Sequence, residues 1–239
     1  MTLYEEFNKQ GDFLFRNRSF LPLIFLFAGL LVHVQGELNE DPSALEIGIE
    51  EFEFVCLGVA LLGLLIRIFT VGYSQDRTSG RNTTQGQIAD NLNTKGAYSL
   101  VRHPLYLGNF FMWLGVAMIP ENVWFIIVFG LVFWLYYERI MFTEETFLRK
   151  KFGDDYLIWT STTPAVIPDF RNYLHPTNSF NWRKVLRNEK NGFAAIFLLF
   201  WLFEFSGEIA EQDGDVIEFD FWFYAALTSL IIYFYLKIL

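Results

Sequence analysis

The sequence predicts an all-α integral membrane protein with about six transmembrane helices, and three observations carry the prediction. The 239 residues are 53% hydrophobic and 19% aromatic, and the apolar residues gather in runs instead of recurring with an amphipathic period. Six runs fall at about 20–35, 52–72, 105–119, 122–142, 193–205 and 221–237. The charges divide between the connections: residues 35–51 hold six acidic and no basic residues, residues 204–220 hold seven acidic and no basic ones, and every Lys and Arg lies in the other connections, the termini or a span end. The positive-inside rule then places both termini in the cytoplasm, which six spans satisfy and five do not.

The first run follows Lys9, Arg16 and Arg18, a flank that suits either a signal peptide or a first span. No small-x-small cleavage site follows "LLVHVQGEL", so the run reads as a retained span. The second run contains the one cysteine, Cys56; no internal disulfide is possible, and the thiol reads as a small packing residue. The second, fourth and sixth runs approach the roughly 20 residues a bilayer requires, while the first, third and fifth are short unless flanking residues extend them. Two connections, 73–104 and 143–192, are longer than joining helices requires, and long polar connections usually carry function. The acidity behind the net charge of −9 sits on the far face while the cytoplasmic face is rich in cations, so nucleic acid is not an implied partner. No glycine-rich nucleotide fingerprint follows a strand, which excludes a Rossmann-type cofactor domain.

The seam between the 73–104 connection and the third run reads "KGAYSLVRHPLYLGNFF". Pro104 suits the first position of a helix, which puts His103 at its N-cap. Helix N-termini attract anions through unpaired amides and the positive dipole end, and Arg102 adds a cation beside them. The fourth run continues as helix to about Phe152, where Gly153 supplies a stop. That extension carries Glu138, Glu144 and Glu145. An ordinary solvated helix would pair the last two with Arg149 or Lys150.

"GAYSLVRHPLYLG", followed by "EETFLRKKFGDDY" and a later "IP", resembles the isoprenylcysteine carboxyl methyltransferase family, which is related to the phospholipid methyltransferases. Gly96, Tyr98, Arg102, His103, Pro104, Tyr106 and Gly108 match its first motif, and Glu144, Glu145, Leu148, Phe152, Gly153, Tyr156 and Pro168 its second. The resemblance divides the chain into an N-terminal arm with the first span (1–54), a methyltransferase core (55–170), and a cytoplasmic linker with two C-terminal spans (171–239). It implies a helical hairpin at the core of a cytoplasm-facing site for S-adenosylmethionine, with a lipid-like acceptor entering from the bilayer. Arg102 and His103 suit the cofactor's carboxylate; Glu144 and Glu145 suit its ammonium or ribose; Tyr98, Tyr106 and Tyr156 suit its adenine or sulfonium. Gly96 enters the set as a motif position. The related sterol reductases have RHxNY, so Pro104 argues against a nicotinamide branch. Trp159 stands where the family often has a second tyrosine.

The acceptor is read from the cations. Arg67 and Arg139 lie near the cytoplasmic ends of spans, where interior placement would let them hold an acceptor anion; Arg139 and Arg102 are the candidate catalytic residues, and Arg67, Arg77 and Arg81 the candidate acceptor contacts. The loop "TSGRNTTQGQIADNLNTKGAYSLVRHPLYLGN" looks most like bacterial family members that methylate the phosphate of lipid A. The expectation is an O-methyltransferase acting on a lipid phosphate in a bacterial inner membrane. Its alternatives are a prenylcysteine carboxyl methyltransferase, a phospholipid N-methyltransferase and a non-catalytic membrane scaffold. The partners implied are a membrane lipid or lipidated substrate, and the sequence sets no oligomeric state.

Overall fold

Every expected span is a helix in the computed structural model, which describes residues 1–18, 20–38, 52–75, 81–83, 86–210 and 219–238. In chain order the elements are α1 (Leu3–Arg16), α2 (Leu21–Leu38), α3 (Phe52–Tyr73), strands β1 (Arg81–Thr83) and β2 (Gly86–Ile88), the single turn α4 (Ala97–Leu100), α5 (Pro104–Met118), α6 (Val123–Phe152), α7 (Asp154–Thr162), a 3₁₀ turn at Phe170–Asn172, α8 (Trp182–Ala210) and α9 (Phe221–Ile238). Helices α3, α6, α8 and α9 are long and apolar enough to cross a membrane, and Pro22–Leu38 and Pro104–Met118 are shorter apolar helices. Phe27, Leu31, Leu131, Leu135, Ile231 and Phe234 point outward from α2, α6 and α9. An apolar surface of that extent on helices long enough to span a bilayer suits a lipid surrounding.

The all-α membrane fold stands, and two details refine it. The fifth span, read as 193–205, is the middle of a helix that begins at Trp182; hydropathy registers only the apolar stretch, whereas the polar lead "WRKVLRNEKN" is made largely of good helix formers. The 73–104 connection contains an antiparallel hairpin pairing Arg81 with Ile88 and Thr83 with Gly86, the one departure from an all-α chain among the described residues. Its strands are only three residues each, too short for an alternating pattern to stand out.

Helix α3 lies closest to α5, and glycine is the reason. A β-carbon at Gly63 would strike the Gly108 carbonyl oxygen and the Met112 backbone, and one at Gly115 the Cys56 carbonyl and Ala60. In a bilayer, where lipid tails are as apolar as leucine, this close backbone approach is a main source of helix association. Cys56 is buried in the contact as an inert packing group. Helix α8 packs against α2, α3, α5 and α9, so the C-terminal spans are integral to the bundle.

The apolar packing forms two separate cores. One joins Phe52, Cys56, Ala60, Leu64, Val116, Ile196, Phe200, Phe203 and Trp222 at membrane depth. The other joins Ala89, Tyr98, Leu148, Tyr156 and Trp159 beyond the start of α5. Helix α6 links them: at 30 residues it runs about 45 Å, well past a hydrocarbon layer of roughly 30 Å. Its last turns, which carry Glu144 and Glu145, project past the start of α5. Helix α1 braces that projection from outside. It opens with a Thr2–Glu5 capping box and packs Tyr4 and Phe7 edge-on against Phe142, at 5.5 and 5.6 Å between ring centroids.

Candidate functional site

The site lies at the seam between the two cores, where α5 begins. His103 is the N-cap and Pro104 the first residue of α5, as the sequence predicts. The imidazole does not cap its own helix; it faces α6, with Nε2 2.9 Å from Glu145 Oε1 and Nδ1 3.8 Å from Glu144 Oε2. Arg102 donates from Nη1 to Glu145 Oε2 at 2.8 Å, and the Tyr106 hydroxyl donates to Glu144 Oε2 at 2.8 Å. Both glutamates therefore turn toward the α5 motif and not toward Arg149 or Lys150. Glu144, only 7% exposed, is held by a phenol and an imidazole in place of water, as a buried carboxylate requires.

The backbone around the motif is fixed from outside. Gly96 has φ +62° and ψ −132°, a region essentially closed to residues with a β-carbon, and it sets the turn into α4. Four hydrogen bonds of 2.9 Å strap residues 164–174 across this turn: Arg102 N–H to the Pro164 carbonyl, Asp169 N–H to the Leu100 carbonyl, Gly96 N–H to the Leu174 carbonyl, and Leu174 N–H to Ser99 Oγ. The Trp159 indole N–H donates to the Tyr98 carbonyl at 3.0 Å. The residue that departs from the family pattern thus ties α7 to α4 through a buried bond.

A cavity of about 1360 Å³ opens over this seam, with Tyr98, Arg102, His103, Tyr106 and Glu144 on its polar wall and Met112, Val116, Ile196 and Leu199 at membrane depth. Glu145 stands directly behind the wall, joined to Arg102 and His103. Tyr156 lies behind it as well; burial, then the Glu145 charge, push its hydroxyl above the ordinary phenol range. That hydroxyl and Arg102 Nε are buried without a hydrogen-bond partner among the described residues.

The remaining expected site residues separate. Arg67 lines the cavity, but its guanidinium is already held by Glu189, at 2.7 and 2.9 Å, and by Asn109 Oδ1, at 2.6 Å. Arg139, expected to be catalytic, faces α1: it bonds Glu138 at 2.7 Å and Gln10 at 3.2 Å and lies 3.5 Å over the Phe7 ring. It lies two positions after Tyr137, which lines the cavity, and about 200° of helical rotation turns it to the opposite side of α6. Arg81 opens β1, and Arg77 lies outside the described residues.

Sequence reasoning missed Asn109, Tyr137 and Glu189, which share the cavity wall with Arg67. An amide inside the apolar run "LYLGNFFMW" is itself a signal, because polar groups at membrane depth are costly and mark internal partners. Glu189 gave no such signal, since it sits among charged residues before the apolar part of α8.

The phospholipid methyltransferase family matches residues 55–155. The chain is 34% identical over 116 residues to the protein-S-isoprenylcysteine O-methyltransferase of Schizosaccharomyces pombe, covering 48% of this chain and 47% of that one. It is 33% identical over 161 residues to the nickel-cobalt-cadmium resistance protein NccN of Alcaligenes xylosoxydans xylosoxydans, covering 66% and 67%. Over 79 residues it is 35% identical to protein-S-isoprenylcysteine O-methyltransferase B of Arabidopsis thaliana, covering 32% and 39%. The chain spans about half the length of the fission-yeast relative and less of the plant one. No solved structure matches.

Proposed function

This chain belongs to the phospholipid methyltransferase family, which takes in the isoprenylcysteine methyltransferases, and from that premise we propose that it is an S-adenosylmethionine-dependent O-methyltransferase of the membrane. Its proposed acceptor is the carboxylate of a prenylcysteine-type, lipid-like molecule. The observation that carries the reading is the cluster of Arg102, His103, Tyr106, Glu144 and Glu145 at the polar end of a cavity whose other end is apolar at membrane depth. The relatives named isoprenylcysteine O-methyltransferases favour a carboxylate over the lipid phosphate that the cation-rich loop suggested.

The residues present fit the cofactor. Arg102 Nε is a buried donor with no partner among the described residues, suited to a carboxylate next to the α5 N-terminus. Among the described residues Glu144 bonds through one oxygen only, which leaves the other for an ammonium or a ribose hydroxyl. When bound, S-adenosylmethionine supplies an electrophilic methyl group on a sulfonium. The protein's part is geometric: holding donor and nucleophile in line lowers the barrier by up to roughly 7–11 kcal/mol. An ionised carboxylate needs no general base, so no histidine or glutamate must take a proton. The α5–α6 contact keeps this geometry rigid, with Tyr106 packed at 4.8 Å on Tyr137 and Tyr137 stacked at 4.3 Å on Phe133. In this orientation both termini and the site face the cytoplasm.

Purified protein in detergent should bind S-adenosylmethionine in calorimetry and transfer a labelled methyl group to an S-farnesylcysteine analogue. A folded protein that binds no cofactor would overturn the reaction class. Methylation of a phosphate-bearing lipid in cell extracts, with the farnesylcysteine analogue untouched, would replace the carboxylate with a phosphate.

A further inference from the structure

Glu189 lies in α8, outside the residues 55–155 that the family matches. It is 4% exposed and grips Arg67 side-on, accepting from Nε at 2.7 Å and from Nη2 at 2.9 Å. Arg67 Nη1 donates to Asn109 Oδ1 at 2.6 Å. Asn109 donates in turn from Nδ2 to the Tyr137 oxygen at 3.1 Å, and the phenol's own proton has no acceptor among the described residues. A guanidinium has five N–H groups; among the described residues three are engaged, and one each on Nη1 and Nη2 is left. All four residues line the cavity where its wall changes from polar to apolar. An amphiphile with its chain at membrane depth would set its head here, against two N–H donors, an O–H donor and a cation whose charge is already balanced.

We infer that Glu189 is the specificity-determining residue for headgroup charge: by neutralising Arg67 it suits this seat to a singly charged carboxylate and against a phosphate monoester. The inference rests on the anionic, lipid-like acceptor proposed above. A carboxylate needs mainly the hydrogen bonds, which the seat keeps. A phosphate monoester carries about −1.5 to −2 at pH 7, and its extra charge meets the Glu189 carboxylate that already balances Arg67. In a partly buried site such interactions are several times stronger than in water, so the pair contributes nothing for a second charge. With the Glu189 charge removed, Arg67 becomes an uncompensated cation and favours the more highly charged head. Specificity of this kind works by an element placed against the wrong ligand as much as by attraction of the right one.

The test is equilibrium binding of two probes that share one chain, farnesyl-thioacetate and farnesyl monophosphate, to the full-length protein in detergent. Wild type should prefer the carboxylate. Glu189→Gln should shift the ratio toward the phosphate by roughly tenfold or more, the size seen when one member of a desolvated charge pair is removed. The double variant R67Q/E189Q, which has the wild-type net charge, should not gain phosphate affinity even if Glu189→Gln alone folds poorly. Cofactor affinity should be unchanged in both. An unchanged ratio in Glu189→Gln, a wild-type preference for the phosphate, or phosphate gain in the double variant each overturns the inference. Failure of the proposed reaction would read differently, as selective binding of the carboxylate probe without methyl transfer.

Discussion

The Glu145 carboxylate offers the most direct test of the site. It accepts from Arg102 at 2.8 Å and from His103 at 2.9 Å, and replacing it with alanine removes both bonds at once. A hydrogen bond to a charged group contributes about 1.5–3 kcal/mol net, and a buried polar partner left unpaired costs about 1–3 kcal/mol. The Glu145 side chain is 26% exposed, so solvent screens the Arg102 arm and places it low in that range. His103, with a side chain 6% exposed, bears most of the loss. Since Arg102 and His103 sit on the wall where the cofactor carboxylate is proposed to bind, Glu145→Ala should weaken S-adenosylmethionine binding by about 1–3 kcal/mol, roughly 5- to 150-fold in Kd. Glu145→Gln keeps one acceptor and should fall between. His103→Ala removes the imidazole between the two glutamates and should match Glu145→Ala. Leu157→Ala, at a position 44% exposed on α7, is the control. The assay is titration calorimetry on detergent-purified protein, with circular dichroism to establish folding. Wild-type affinity in both folded variants, or an equal loss in all three, would refute the reasoning.

Three further predictions follow from single features. Gly96→Ala forces a β-carbon into φ +62°, ψ −132° while the nearest atom it would meet, Pro176 Cβ, is at an ordinary 3.6 Å; the cost is backbone strain of about 1–3 kcal/mol, to be read as a lowered Tm with weakened cofactor binding. Trp159→Phe removes the 3.0 Å bond to the Tyr98 carbonyl and should lower stability by about 0.5–1.5 kcal/mol in thermal unfolding; a stability equal to wild type would show that bond to be dispensable. Arg139→Ala should leave cofactor affinity intact and cost the contact with Phe7, about 0.5–1 kcal/mol, together with the weak, solvent-screened bonds to Gln10 and Glu138. A large loss of methyl transfer at normal stability would restore Arg139 to the site.

Spans, order and motif residues were legible in the sequence because each is a local property. A bilayer demands apolar runs of fixed length whatever they pack against, and Pro104 and Gly153 mark helix ends through their own backbone preferences. Pairing was not legible, because it depends on where helices distant in sequence meet. Arg67, Arg102 and Arg139 are equivalent as letters near span ends. Tertiary structure gave the first a carboxylate from α8, joined the second to Glu145, and turned the third away on the far side of α6. Glu189 shows the limit most plainly: it lies 122 positions from its partner, and it becomes a cavity residue only because α8 packs on α3 and the glycines of α3 and α5 bring Arg67 alongside Asn109. Composition and periodicity place a residue on its own helix, whereas the charge it meets there is set by the contacts between helices.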